Sequence, residues 1–239
     1  MTMLKQILLI LALTSVLSSH CQTSQDYLDS GNKKCEQKDY KGAIADLTQA
    51  INLDTGSAKA YYSRALARAY MNDYNGALAD YTKAIGKNPA DSGSYCNSAI
   101  VKSILRDYWG AVADYTSAIK LAPGMVKAYV GRGDAYMQMA KNTEALEDYD
   151  KAVELDSTSI DAHTSRGRLR ITLRDYRGAL RDINRALERS WDTNNGKLYY
   201  LRGLAKYFQG QDQSGCVDFF KAKDLGYPQA EESIEQYCH

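Results

Sequence analysis

The chain has 239 residues, a quarter of them charged, with 30 basic side chains against 29 acidic ones and only three prolines. Such a balance gives no global field toward nucleic acid or an anionic membrane, and an apolar share of 44% is that of a folded chain, not a disordered one. Three scattered histidines, His20, His163 and His239, assemble no metal cluster or catalytic triad.

Residues 1–21 differ from the rest. Lys5 supplies a positive start, Ile7 to Leu13 is an unbroken apolar run, and small polar residues follow. The pattern reads as an export signal, and the run falls short of the roughly 20 apolar residues that span a bilayer. With Ser19 and Cys21 in the small-residue sites before the scissile bond, the mature chain begins at Gln22 and has no stable membrane insertion. The protein is then periplasmic or secreted. The alternative is a lipid anchor on Cys21, for which His20 is too large a neighbour and Leu17 stands one place too distant.

From residue 22 to 226 one phrase recurs. Tyr40, Tyr74, Tyr108, Asn142 and Tyr176 stand 34 residues apart, each followed at fixed spacing by two small residues: Ala43 and Ala50, Ala77 and Ala84, Ala111 and Ala118, Ala145 and Ala152, Ala179 and Ala186. A period of this length signals a repeat array. The repeats run over about 24–57, 58–91, 92–125, 126–159, 160–193 and 196–226, the last after an insertion near Trp191 to Lys197, with Gly215, Phe219 and Ala222 in the same roles. Each divides into two amphipathic helices, as in Ala58 to Met71 and Asn75 to Lys87. Between them, the Asp-Tyr-x-Gly-Ala junctions at Asp39, Asp73, Asp107 and Asp175 offer a capping carboxylate. Repeat four has Lys141, Asn142 and Glu144 at this place, which makes a looser joint the expectation. Pro89 and Pro123 end repeats two and three, where proline cannot continue a helix.

Aspartate recurs in every second helix, at Asp46, Asp80, Asp114, Asp148, Asp182 and Asp218, and arginine in four first helices, at Arg64, Arg132, Arg166 and Arg202. A period locked to the fold predicts internal ion pairs that set register. The 19 tyrosines keep the same period at Tyr61, Tyr95, Tyr129 and Tyr199 and at Tyr81, Tyr115 and Tyr149, which assigns them to packing and not to base stacking. Residues 142–161 are acidic and 166–189 rich in arginine. Adjacent helices neutralising one another is one reading; Arg168, Arg170 and Arg174 holding an anionic partner group is the other.

Residues 227–239 form an amphipathic closing helix over the last repeat, Glu231, Glu232, Glu235 and Gln236 on one side and Ala230, Ile234 and Tyr237 on the other. Cys216 opens the second helix of repeat six and Cys238 ends the closing segment. An antiparallel arrangement brings the two together, so the expectation is a disulfide, the alternative two free thiols. Cys35 and Cys96 fall in different repeats and stay apart.

The set Tyr61, Ala65, Tyr74, Ala77, Tyr81, Ala84 and Pro89, recurring over about residues 24–226, resembles the tetratricopeptide repeat (TPR). The resemblance implies an all-α fold, a right-handed α-α superhelical solenoid of about six helix-turn-helix repeats with a C-terminal capping helix, and the ending Leu225-Gly226-Tyr227 to Tyr237-Cys238 is similar to exported bacterial members. It also implies a concave groove, formed by first helices, that binds a peptide or protein surface. Counted through the family pattern, the groove holds Tyr62, Leu66, Tyr70, Asn97, Ile100, Ile104, Lys127, Val130, Asp134 and Gln138, largely apolar, with Arg168 as the charged candidate. A subclass grips a terminal carboxylate through a polar clamp; Asn97 and Lys127 match it, but Leu66 and Gly131 do not. An amphipathic helix or extended apolar segment of another protein suits the strip better.

No phosphate-binding Gly-x-x-x-x-Gly-Lys loop, no Gly-x-Ser-x-Gly elbow and no His-Glu-x-x-His motif occurs in the sequence. Catalytic residues, metal ligands and cofactor are therefore expected to be none. The expected function is a non-enzymatic scaffold or adaptor in the cell envelope that binds protein and not nucleic acid. The alternative is a structural subunit of an envelope assembly that uses its outer face or ends.

Overall fold

The computed structural model describes residues 22–190 and 195–238, so the expected export signal, Cys21 and part of the insertion near Trp191 lie outside the described residues. The described residues form helices and no strand: α1 Ser24–Glu36, α2 Tyr40–Leu53, α3 Ala58–Tyr70, α4 Tyr74–Lys87, α5 Ser92–Ile104, α6 Tyr108–Leu121, α7 Val126–Gln138, α8 Asn142–Leu155, α9 Ile160–Thr172, α10 Tyr176–Arg189, α11 Gly196–Phe208, α12 Asp212–Asp224 and α13 Gln229–Tyr237. Consecutive helices pack as pairs, α1 with α2 through α11 with α12, and α13 packs on α12 and α11. The chain divides between Pro89 and Ala90 into two compact units. The first holds repeats one and two, and the second holds repeats three to six with the closing helix.

The turn inside each pair follows from backbone geometry. The residue two places past the first helix is left-handed, at Lys38, Asn72, Arg106, Ala140 and Arg174, with φ between 56° and 63°. The next N–H then donates back to the helix end, as from Asp39 to the Lys34 carbonyl at 2.9 Å and from Asp73 to the Arg68 carbonyl at 2.9 Å. That same aspartate caps the second helix. Asp39, Asp73, Asp107 and Asp175 each accept from the glycine N–H three residues on, at 2.9 to 3.0 Å.

Repeat four keeps this turn without the cap. Lys141 N–H donates to the Tyr136 carbonyl at 3.0 Å and Ala140 has φ 56°, so the backbone bonds hold the geometry that the looser joint expected from sequence would have lost. Lys141 instead lies 4.6 Å from the centre of the Trp109 ring, a cation over an aromatic face.

Small and large side chains alternate across each pair. The buried Leu47, Tyr81, Tyr115, Tyr149, Ile183 and Phe219 fill the same place in successive repeats, and 16 positions earlier stand Gly31, Ala65, Ala99, Gly133, Gly167 and Gly203. Gly203 shows why this place stays small: a Cβ there would lie 2.7 Å from the Phe219 ring. The two alanines that recur in each second helix of repeats one to five, from Ala43 and Ala50 to Ala179 and Ala186, are buried, which lets neighbouring helices approach closely.

The same 16-residue offset joins the charges. Arg64, Arg132, Arg166 and Arg202 each fork onto one aspartate, Asp80, Asp148, Asp182 and Asp218, with paired bonds of 2.6 to 2.9 Å. The third guanidinium nitrogen reaches back one repeat, to Thr48, Thr116, Asp150 and Asn184. Where that arginine is missing, Ser30 donates to Asp46 and Ser98 to Asp114, while Lys34 and Lys102 pair with the same carboxylates as Arg68, Arg170 and Lys206 do with Asp80, Asp182 and Asp218.

At the carboxyl end Cys216 and Cys238 are joined by a disulfide, their Cα atoms 5.7 Å apart. Tyr237 packs against Tyr207 with the rings tilted and their centres 4.5 Å apart, and Lys223 pairs with Glu231 across the joint at 2.7 Å. The cross-link closes a loop of 22 residues, a length that stabilises by about 3 kcal/mol through the unfolded chain's lost freedom. Reductant should therefore lower the melting temperature of the wild-type chain and leave a Cys216→Ser, Cys238→Ser variant unmoved; equal responses would show the bond to be idle. Cys35 and Cys96 are free thiols, and burial pushes the Cys96 thiol up.

Candidate functional site

The first helices of repeats three to six, α5, α7, α9 and α11, line a groove in the second unit. Two hollows of about 550 and 350 Å³ share Ile100, Tyr115, Gly131 and Asp134. Toward α5 the wall is apolar, with Ile100, Ile104, Tyr108 and Ala135. Toward α9 and α11 it becomes charged, with Lys127, Asp134, Asp161, Arg168 and Lys197 around Val126 and Val130. To the expected Lys127, Asp134 and Arg168, α9 and α11 add Asp161 and Lys197, so the groove is apolar toward α5 and charged toward α9 and α11.

The floor is built by repeat geometry. Gly131 has no side chain, and an added Cβ would sit 2.4 Å from the Tyr115 hydroxyl, so the Tyr115 ring tip fills the vacated place. Burial pushes this phenol well up, so it stays a neutral hydroxyl. Asp134 and Arg168 occupy equivalent places in successive repeats and meet, Nη2 donating to Oδ1 at 2.7 Å. Tyr149 donates its hydroxyl to the same oxygen at 2.7 Å, and its phenol too is pushed up, by burial first and then by the Asp134 charge. The Nε of Arg168 is buried without a hydrogen-bond partner.

Around this floor Lys127, Asp161 and Lys197 stand at the second position of α7, α9 and α11, exposed and outside every ion pair among the described residues. Asp156, also at the rim, is occupied by its own turn, accepting from the Thr158 N–H at 2.8 Å and its hydroxyl at 2.7 Å, which hold its carboxyl down.

Of the residues expected to form the groove, the structure brings together Ile100, Ile104, Lys127, Val130, Asp134, Gln138 and Arg168. Asn97 is half-buried and does not line either hollow. Tyr62, Leu66 and Tyr70 belong to the first unit, where Tyr62 meets the Tyr81 ring edge-on at 6.0 Å and Tyr70 stacks on Tyr40 at 4.8 Å. Arg168, Arg170 and Arg174 do not converge: Arg170 turns inward to Asp182 at 2.7 Å, Arg168 faces the groove, and Arg174 forms the left-handed turn. Sequence reasoning missed Tyr115, Asp161, Ser165 and Lys197 as lining residues. The signal for Tyr115 was Gly131, standing where the other repeats carry Asp29, Ser63, Asn97, Ser165 and Leu201.

Among the described residues no group of three metal-ligating side chains occurs, and no helix is long and apolar enough to cross a membrane. Comparison with known proteins places the repeats. A family model described as a tetratricopeptide repeat matches residues 58–91, and one described as a TPR repeat matches residues 133–170. No curated protein matches the chain. Among solved structures the chain is similar to PilF of Pseudomonas aeruginosa, at TM-score 0.78 and 18% identity over 89% of this chain and 96% of that one. It is similar also to a tetratricopeptide repeat protein from Parabacteroides merdae, at TM-score 0.70 and 19% identity over 95% and 89%. A third likeness is to YrrB, described as a TPR protein with an unusual peptide-binding site, at TM-score 0.62 and 19% identity over 79% and 97%. Identities this low speak for fold alone, and the fold is generally a non-catalytic one for protein interaction. Its repeated helix pairs, its matching repeats and its structural neighbours make this chain a tetratricopeptide-repeat protein.

Proposed function

We propose that the protein is an exported, non-enzymatic scaffold whose second unit holds a segment of another cell-envelope protein in the groove between Ile100 and Arg168. The observation that carries this reading is the groove itself, an apolar wall continuous with a charged one on a floor fixed by Tyr115, Asp134 and Tyr149. Groove-lined arrays take helices or extended segments by such walls. Export rests on the character of residues 1–21.

A specific feature supports a second reading, a structural subunit that docks by its end. Val217 and Phe220 of α12 are exposed beside Cys216 and Tyr237, around a hollow of about 330 Å³. Crosslinking in cells, followed by affinity purification and mass spectrometry, separates the two. An Ile100→Asp, Val130→Asp variant should lose at least about tenfold of the dominant partner, since a buried apolar contact of this size is worth more than about 1.4 kcal/mol. Equal recovery with both forms would turn the assignment to the outer face or ends.

A further inference from the structure

The charges of the groove balance formally, but their hydrogen-bonding capacity does not. Three cations and three carboxylates line the larger hollow: Lys127, Arg168 and Lys197 against Asp134, Asp156 and Asp161. Asp134 is taken by Arg168 and Tyr149, and Asp156 by Thr158. Asp161 is then the one unpaired acid, beside two unpaired lysines and an arginine that spends only Nη2 on Asp134 and keeps its side chain 34% exposed, its buried Nε lying out of a ligand's reach. Unused donors on a guanidinium held in place by an ion pair are suited to a second carboxylate.

We infer that, within the groove binding just proposed, the groove selects a peptide segment carrying an internal acidic side chain beside apolar ones. The carboxylate sits at Arg168, with Lys127 and Lys197 at the rim about 10 Å nearer the helix starts, and the apolar side chains lie along Ile100, Ile104 and Val130. Charge and shape are ordered along one direction: apolar wall at α5, carboxylate-accepting wall at α9 and α11. An apolar segment without an acid leaves the lysines idle, and a basic segment finds Asp134 and Asp156 already engaged, with Asp161 alone left to it.

The test is selection of random twelve-residue peptides, displayed between fixed flanks with no free terminus, on the full protein. Expected winners combine apolar residues with Asp or Glu and weaken as salt rises. Changing that acid to its amide should cost about tenfold to a hundredfold in affinity, the worth of a charged hydrogen bond. Arg168→Gln should give a similar loss, as should Lys127→Gln with Lys197→Gln, two exposed sites whose change leaves the fold intact by melting. Winners lost with Ile100→Asp but showing no acid preference, a basic preference, or indifference to all three cation changes would keep the groove and overturn its selectivity. Recovery only from a library with free carboxyl ends would reassign the site to a terminal carboxylate. If no winner is sensitive to Ile100→Asp, both the groove and its selectivity fall.

Discussion

Asp182→Ala is expected to be among the most damaging single changes in the chain, costing about 3–5 kcal/mol of the second unit's stability, the range for stripping one partner from a buried charge group. Asp182 is 2% exposed. It accepts from Arg166 at 2.6 and 2.9 Å, from Arg170 at 2.7 Å, and stands 3.0 Å from His163 Nδ1, whose Nε2 lies 3.1 Å from the Ser157 carbonyl. Its loss strands two half-buried arginines, with only the more exposed Asp150 and Asp175 left nearby. Asp46→Ala removes the equivalent carboxylate where it is held by Ser30 and by Lys34, whose side chain is 35% exposed. That lysine can turn to water, so the penalty there is much smaller. Thermal melting with hydrogen exchange on α9 and α10 distinguishes the two; equal losses would refute the assignment of the cost to burial.

Phe219→Ala is expected to cost a similar about 3–5 kcal/mol, concentrated at the carboxyl end. The ring is fully buried against the glycine face at Gly203, with Tyr200 at 5.9 Å and Tyr237 at 6.1 Å. No side chain at position 203 can refill the void, and the disulfide holds α13 without restoring its packing. Limited proteolysis should then cut within α11 to α13 while α5 to α8 remain protected. Uniform loss of protection across the second unit would show that the repeats do not unfold stepwise as a quasi-one-dimensional array does.

Much of this architecture is written in the period. A 34-residue register placed the helix pairs, and the aspartate and arginine columns announced the ion pairs because both recur at one offset. What escaped had no column of a single residue type to appear in. Ser30 and Ser98 stand in the arginine column without being arginine, and a second cation column, Lys34, Arg68, Lys102, Arg170 and Lys206, pairs with the same aspartates but mixes lysine with arginine and is interrupted by Tyr136. The left-handed turns of repeats one to five sit on Lys38, Asn72, Arg106, Ala140 and Arg174, and only that of repeat six on a glycine, Gly210, so no composition marks them. In the site, Tyr115 belongs to a packing column and reaches the groove only because Gly131 is empty, a relation between two repeats that neither shows by itself. The positions of Lys127, Val130 and Asp134 were legible through the family pattern; the charged character of the groove's far wall was not, since it depends on which acids are already occupied.

The arginine that reaches back one repeat has a meaning in terms of cooperativity. It acts as a nearest-neighbour coupling, fastening each repeat to its predecessor, and it is present in repeats two, four, five and six. Repeats one and three, which open the two compact units, carry Ser30 and Ser98 in its place. The serines thus punctuate the chain, and a column of a single residue type records where one cooperative block begins and the next takes over.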